Sequence, residues 1–383
     1  MILCGDQPSR REVLWLCSAL PSLPFARAMT RSTAPANLKL SLVFELPKAD
    51  LRALSPDGLK LCVQDWAESG HPLRVVELGT WRTVWAGRFR SAAFLAKFFA
   101  DSQTLFVEGP GWVGSNVSWQ TVVNLETGQR TEHQHPFLPT EIVEHWPLTD
   151  GRLLVCVQHT PPGNDTLALV EFPSYREILK VPYAVVPREP IRMSNGLRLP
   201  YSFGEAISDD RVVFVYSFDH IVVCRRTSDL RVLWTRRVPP QLHCPQVAVS
   251  ADGRCVAAAA VDDSFYQIQQ QAYEIAVYDG SAGATIALFK LSGSEGIALS
   301  PDGKLIAVVA LERGNKREVL PTVHVHEVPS GAKLASVVHG AVKRGRHQWL
   351  TSHIGVTFTS DGRYMVTSGG ATRVWSLEIG RPI

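Results

Sequence analysis

Gly296-Ile297-Ala298-Leu299-Ser300-Pro301-Asp302-Gly303-Lys304-Leu305-Ile306-Ala307-Val308-Val309 is two apolar stretches joined by four turn-forming residues. Pro presets φ for the first central position of a tight turn, Asp tolerates the second, and Gly supplies the positive φ that lets the chain reverse. The stretch therefore reads as strand, tight turn, strand.

The pattern recurs along the chain. Ser55-Pro56-Asp57-Gly58, Ser250-Ala251-Asp252-Gly253 and Thr359-Ser360-Asp361-Gly362 each join an apolar stretch to a second one. Weaker copies stand at Asp101-Ser102, Thr149-Asp150-Gly151 and Ser208-Asp209-Asp210. One aspartate per copy (57, 101, 150, 210, 252, 302 and 361) marks seven units. In most units a third strand follows and ends in a second turn, as in Val122 to Gly128, Val277 to Gly283 and Val325 to Gly331. A fourth strand comes next, such as Leu334-Ala335-Ser336-Val337-Val338. Four short antiparallel strands per repeat make a propeller blade, so the expected fold is all-β, a seven-bladed β-propeller of four-stranded antiparallel blades.

At these residues the sequence resembles the WD40-type repeat family, in a divergent form, over roughly residues 38 to 380; YVTN-type and quinoprotein-like propellers are built from similar units. Arg373-Val374-Trp375-Ser376-Leu377 looks most like that family's Trp-Asp ending. The chain departs from the family in two respects. No unit has Gly-His before its inner strand, and Trp-Asp itself is absent from every third strand. The sequence thus gives no basis for the family's His–Asp–Ser/Thr–Trp bonding network. The resemblance implies a fold and a common use as a protein-interaction scaffold, not an activity.

The ends of the repeat region fit each other. The last unit supplies three strands, Ile354 to Thr359, Arg363 to Thr367 and Ala371 to Leu377, with too few residues left for a fourth. Leu38-Lys39-Leu40-Ser41-Leu42-Val43-Phe44-Glu45 is a strand with no partner of its own, placed to become the outer strand of the last blade. Residues 37–383 then form one propeller domain, closed by its N-terminal strand, which removes an exposed edge.

Residues 1–36 show no repeat. Ser9-Arg10-Arg11-Glu12-Val13-Leu14 resembles a twin-arginine export signal, followed by an apolar stretch and by Ala26-Arg27-Ala28, a small-x-small cleavage site. This leader places the mature protein in the periplasm or at the cell surface. The alternative is a start at Met29 and a cytoplasmic protein.

The chain of 383 residues carries 39 Lys+Arg against 36 Asp+Glu, a net charge of +3, which calls for neither nucleic acid nor any other strongly charged partner. It has no apolar run long enough for a transmembrane helix. The propeller is expected to be monomeric. Of seven cysteines, Cys62, Cys156, Cys224 and Cys255 lie in strand patterns and read as small apolar core residues, with no disulfide framework.

Chemistry-bearing motifs are few. His324-x-His326 puts two rings on one face of a third strand, half of a metal site, but His326 takes the place of a blade aromatic and no Cys or carboxylate clusters with the pair in sequence. His133-x-His135 lies between units two and three. Nucleotide-loop and Gly-x-Ser-x-Gly motifs are absent, and the repeated aspartates are turn residues by position. No catalytic, cofactor or metal-binding set is expected.

The long connections fall between blades and between second and third strands, which open on one rim. They include 181–203, 340–353, 109–119, 261–272 and 311–321. Candidate partner-binding residues on this rim are Trp112 and Trp119, Phe265 and Tyr266, and the basic cluster Lys343, Arg344, Arg346, His347 and Trp349. Arg, Trp and Tyr are common interface anchors. The expected function is a non-catalytic scaffold that presents this rim to a protein or peptide. The alternative is a ligand binder or enzyme at the channel mouth, drawing on His133, His135, His159, His220, His243 and His353.

Overall fold

The structure is a computed structural model. It describes residues 38–379 except 66–71, 90–94, 110–118, 134–141, 149, 159–165, 183–201, 209–210, 217–220, 238–241, 263–271, 293–295, 314–317, 341 and 344–354. Side chains are described for most of these residues. The leader, Trp112, Phe265, Tyr266, Arg344, Arg346, His347 and Trp349 lie outside the described residues.

Among the described residues twenty-nine strands form seven antiparallel sheets. After β1 (Leu38–Pro47), blade 1 comprises β2 (Ala49–Leu54), β3 (Lys60–Asp65), β4 (Leu73–Glu77) and β5 (Thr83–Gly87). Blade 2 follows with β6 (Leu95–Phe98), β7 (Thr104–Gly109), β8 (Trp119–Asn124) and β9 (Arg130–His133). Blade 3 is β10 (Ile142–Pro147), β11 (Arg152–Gln158), β12 (Thr166–Glu171) and β13 (Glu177–Pro182). Blade 4 is β14 (Ser202–Ile207), β15 (Arg211–Tyr216), β16 (Ile221–Arg226) and β17 (Val232–Arg237). Blade 5 is β18 (Leu242–Val249), β19 (Cys255–Asp262), β20 (Ala272–Asp279) and β21 (Thr285–Ser292). Blade 6 is β22 (Gly296–Leu299), β23 (Leu305–Arg313), β24 (Glu318–Glu327) and β25 (Lys333–Val338), with a short fifth strand β26 (Val342–Lys343). Blade 7 is β27 (Gly355–Phe358), β28 (Tyr364–Ser368) and β29 (Ala371–Ile379), completed by β1. The expected seven-bladed architecture is what the chain forms.

The repeated turn works through side chains as well as backbone. The Ser55, Ser250, Ser300 and Thr359 hydroxyls donate to Asp57, Asp252, Asp302 and Asp361 at 2.5–2.7 Å. The same oxygens accept the N–H five residues on, at 2.8–3.0 Å. Each aspartate also accepts the N–H two residues on. Gly58, Gly253, Gly303 and Gly362 all have φ near +70°, which a side chain would strain. Burial alone would raise Asp57, Asp302 and Asp361, but the donated hydroxyls and N–H groups outweigh it and hold all three below the usual carboxylate range. These aspartates are turn builders, as their positions imply.

Middle strands are covered on both faces, so their centres read as apolar runs; every residue of β3 is buried, with Leu61-Cys62-Val63 flanked by the polar Lys60, Gln64 and Asp65. The core is a cyclic series of interfaces. Seven clusters of buried side chains each join two neighbouring blades, from Cys62, Trp85, Leu105 and Val107 between blades 1 and 2 to Met365, Trp375, Val309 and Val323 between blades 6 and 7. The cluster of Val366, Val374 and Leu46 with Leu61, Val63 and Val76 joins blade 7 to blade 1. Cys62, Cys156 and Cys224 are fully buried thiols inside this core, and burial pushes Cys62 up to about 12.

Two expected loops differ in detail. Ladder pairing continues to Arg313↔Val319, so most of 311–321 is strand; its apolar Leu320 and Val319 extend the β24 pattern. Lys343 is not in an open connection, because its backbone pairs with Glu318 in β26.

Closure rests on β1, paired with β29 from Leu38↔Ile379 to Pro47↔Ala371, with Arg373 bound to Glu45 at 2.8 Å. Leu38 and Leu46 are buried. A chain beginning at Ala49 is expected to unfold at least 10 °C lower in a thermal melt and to associate through the β29 edge on size-exclusion chromatography. An unchanged melt and a monomeric peak would contradict the closure role.

Candidate functional site: an aromatic–arginine cleft between blades 1 and 2

The turns after first and third strands share one rim, and the connections between blades and after second strands share the other. The long-loop rim is where the sequence places binding residues. Of those candidates, the structure describes the Trp119 side chain and the backbone of Lys343.

Trp119 is not in a loop. It opens β8, directly opposite Gly109 at the end of β7. Any Cβ at Gly109 would overlap the Trp119 ring, so the glycine is what lets the indole lie across the strand. The ring stacks on Phe89 with centroids 5.0 Å apart and planes 11° apart. Arg130 of β9 covers the other aromatics: its guanidinium lies 5.1 Å from the Phe89 ring and 5.3 Å from Trp85. Arg130 Nη1 donates to the Arg88 carbonyl at 2.9 Å, and Gly87 leaves room for its other nitrogen.

Period-two alternation explains the grouping. Thr121↔Glu132 and Val123↔Arg130 are cross-strand pairs, so Trp119, Thr121, Arg130 and Glu132 share the face of blade 2 that meets blade 1. Val123 goes into the core, while Arg88, Phe89, Trp119, Thr121, Arg130 and Glu132 line a cleft of about 80 Å³ at its outer edge. It offers an aromatic wall, two guanidinium groups and one carboxylate. Sequence reading found Trp119 alone; the cross-hairpin Gly109 was the available signal, and the pairing of β8 with β9 that brings in Arg130 was not.

The opposite face of the same strands carries a buried polar chain. Tyr175 O–H donates to Gln120 Oε1, and the Gln120 amide lies 3.2 Å from both His145 ring nitrogens. His145 Nδ1 stands 3.1 Å from both oxygens of Glu108. Glu108, Gln120 and His145 are almost wholly buried, and burial with the Glu108 charge pushes the Tyr175 phenol above its ordinary value. Glu108↔Gln120 is the pair next to Gly109↔Trp119, so this chain fixes the strands under the cleft from the blade 3 side.

The remaining histidines divide. His133 sits on the outermost strand of blade 2, against Phe172 at 5.0 Å, and so cannot line the channel. His243 lies on inner strand β18, with its side chain outside the described set, as are His135, His159, His220 and His353. His326 is buried against Phe289, as expected of a blade-aromatic substitute. Among the described residues no three His, Cys, Asp or Glu side chains converge on a metal position.

His339, which the repeat pattern passed over, completes a relay in blade 7. Trp375 N–H donates to Thr367 Oγ1 at 3.0 Å, and that hydroxyl lies 2.7 Å from His339 Nδ1. His339 Nε2–H donates to the Gly369 carbonyl at 3.2 Å. Three of the four members of the His–Asp–Ser/Thr–Trp arrangement are thus present here, with the Gly369 carbonyl in place of the aspartate. Burial, reinforced by Arg373, pushes His339 down to about 4. The unfolded chain therefore takes this proton before the folded one does. Its contribution is full above the ordinary value near 6.5 and is lost as pH falls from there towards 4, a loss on the order of 2–3 kcal/mol. Urea titrations from pH 7 to 4.5 should show a steeper decline for the wild type than for His339→Gln; equal slopes would sink the assignment.

Gly109→Ala should displace Trp119, red-shift its fluorescence and cost about 1–3 kcal/mol. An unaltered emission spectrum would contradict the stacked placement.

Comparisons with known proteins fix the fold. No protein-family model matches the sequence, and no curated protein matches it. Among solved structures the chain is similar to the β-propeller domain of Cps50 (Swd1) from Myceliophteria thermophila, with a TM-score of 0.57 and 12% identity over 89% of this chain and 100% of that one. It is also similar to KlHsv2 with loop 6CD replaced by a Gly-Ser linker, with a TM-score of 0.55 and 13% identity over 87% of this chain and 98% of that one. At such identity the likeness is one of architecture, and it establishes this chain as a seven-bladed β-propeller similar to a known Swd1 propeller.

Proposed function

We propose that this chain is a scaffold that holds a protein or peptide partner on its long-loop rim, anchored at the Trp119 cleft, with no catalysis at that rim. The observation that carries this is the cleft itself: a tryptophan stacked on Phe89 beside two arginines, half-exposed at the outer edge of a rigid blade interface. Trp and Arg are enriched among the residues that dominate binding energetics: Trp covers a large area at little entropic cost, and Arg makes directional, bidentate contacts. Protein interaction is also a common use of propellers of this type. The buried Glu108–His145–Gln120–Tyr175 chain supports the reading, since a site held from below binds without first being ordered.

Affinity capture with the wild type, Trp119→Ala and Lys304→Ala tests it. Lys304 is exposed on the tight-turn rim and serves as the control. A partner retained by wild type and by Lys304→Ala, with at least a 30-fold weaker dissociation constant for Trp119→Ala, is the expected result. A partner that binds all three equally would overturn the placement of the site.

A further inference from the structure

Three neighbouring strands of blade 6 bring a serine, a histidine and a glutamate into line. His324 of β24 and Ser336 of β25 are direct cross-strand partners, and His324 Nδ1 lies 2.8 Å from Ser336 Oγ. The other ring nitrogen, Nε2, lies 3.5 Å from Oε1 of Glu312 on β23. Leu320 is the partner of Glu312, and Leu320 and His324 share the period-two face of β24, so all three groups stand on the face towards blade 5. An Nε2–H facing the glutamate leaves the Nδ1 lone pair to accept from the Ser336 hydroxyl. A nucleophile bonded to a base, with the base oriented by a third group, is the geometric signature of an activated serine.

We propose that Ser336, His324 and Glu312 form a nucleophilic relay at the outer edge between blades 5 and 6 that reacts with activated acyl esters. Ser336 is exposed, so a substrate reaches it, while the His324 side chain is only 14% exposed and its ring is held in place. Burial, then the Lys333 charge, holds His324 below its ordinary value, which keeps the ring in its proton-accepting form at neutral pH. β25 is the outer strand of the blade, so alternate N–H groups along it point away from β24 and can donate to a developing oxyanion. Val338, two residues on and half-exposed, is an apolar shelf on the same face for the acyl chain.

The chemistry balances within these groups. Ser336 Oγ bonds to the acyl carbon as its proton passes to His324 Nδ1, and the carbonyl π pair moves to oxygen. When that pair returns, the bond to the leaving alkoxide breaks, and the alkoxide takes the proton from His324. Water repeats the sequence on the acyl-serine, giving a carboxylic acid and free Ser336. Glu312, at ion-pair distance from Nε2, stabilises the transient imidazolium.

The test uses the full chain with a fluorophosphonate probe and with p-nitrophenyl acetate. One adduct, mapped to Ser336 by peptide mass spectrometry, is expected. Ser336→Ala should abolish it, His324→Gln should slow it about 100-fold, and Glu312→Gln about tenfold. The labelling rate should follow the titration of a single group in the wild type and lose that dependence in His324→Gln. Ser336 and Glu312 are exposed, so their variants are expected to melt like the wild type, which separates loss of reactivity from loss of fold. No adduct under conditions that label a known serine hydrolase, or a rate unchanged in His324→Gln, would refute the relay. Neither result bears on the Trp119 cleft.

Discussion

A four-stranded blade has two apolar faces and cannot bury either by itself. Everything in this molecule follows from the solution to that constraint, which is a ring in which each blade covers the next. An open arc of seven blades would leave two faces and a strand edge in water. The pairing of β1 with β29 removes the edge, and the packing of Val366 and Val374 against Leu61 and Val63 removes the faces. The clusters on either side of blade 7 therefore depend on a contact between segments more than three hundred residues apart. That contact is also slow to find, because loop closure must precede any packing at the seam.

The parts of this design that were legible in the sequence are those with local causes. The Ser/Thr-x-Asp-Gly turn announces itself because its chemistry lies within six residues: Ser300 bonds Asp302 and accepts from Leu305, and Gly303 takes the positive φ. Ring closure was legible because counting strands left one over at the start and one missing from the last unit. Cys62 and Cys156 read as core because both-face burial gives continuous apolar runs. Contacts across the blades were not legible. Nothing near Trp119 in sequence names Phe89 or Arg130, and His339 becomes a partner of Thr367 only through packing of blade 6 on blade 7. The expected loop at 311–321 failed for a related reason: strand pairing outlasted the first polar residues, so Glu312 sits in a ladder and meets His324.

The turn between third and fourth strands shows how blades match one another. Its left-handed position holds Gly283 in blade 5 and Gly331 in blade 6; Trp234 from the outer strand of the preceding blade takes the space a side chain would fill at Gly283, and Phe289 lies in ordinary contact with Gly331. Blades 1 and 3 reverse the arrangement. There Trp81 and Tyr175 accept φ values of 59° and 55°, unusual for bulky residues, and reach back themselves. Trp81 stacks on Phe44 of β1 at 4.4 Å, and Tyr175 bonds Gln120. At these four interfaces a large side chain packs at the turn, but the choice of which blade supplies it varies around the ring.

That variation gives individual interfaces their character, and it accounts for where chemistry can appear on a repetitive scaffold. Between blades 2 and 3, Tyr175 brings a hydroxyl into the outer part of the interface, and a polar chain of Gln120, His145 and Glu108 forms to satisfy it. Between blades 5 and 6 the turn residue is glycine, and the gap is filled by Phe289 with His326 stacked on it. His324, two residues away on the same face, then lies beyond the aromatic filling and must find polar partners at the margin, where Ser336 and Glu312 are within reach. Between blades 1 and 2, Gly87 and Gly109 withdraw their own side chains, and Arg130 and Trp119 spread over them towards solvent. In each case a local choice of size at an interface position sets whether the outer margin is sealed, polar or open, while the core beneath it stays the same.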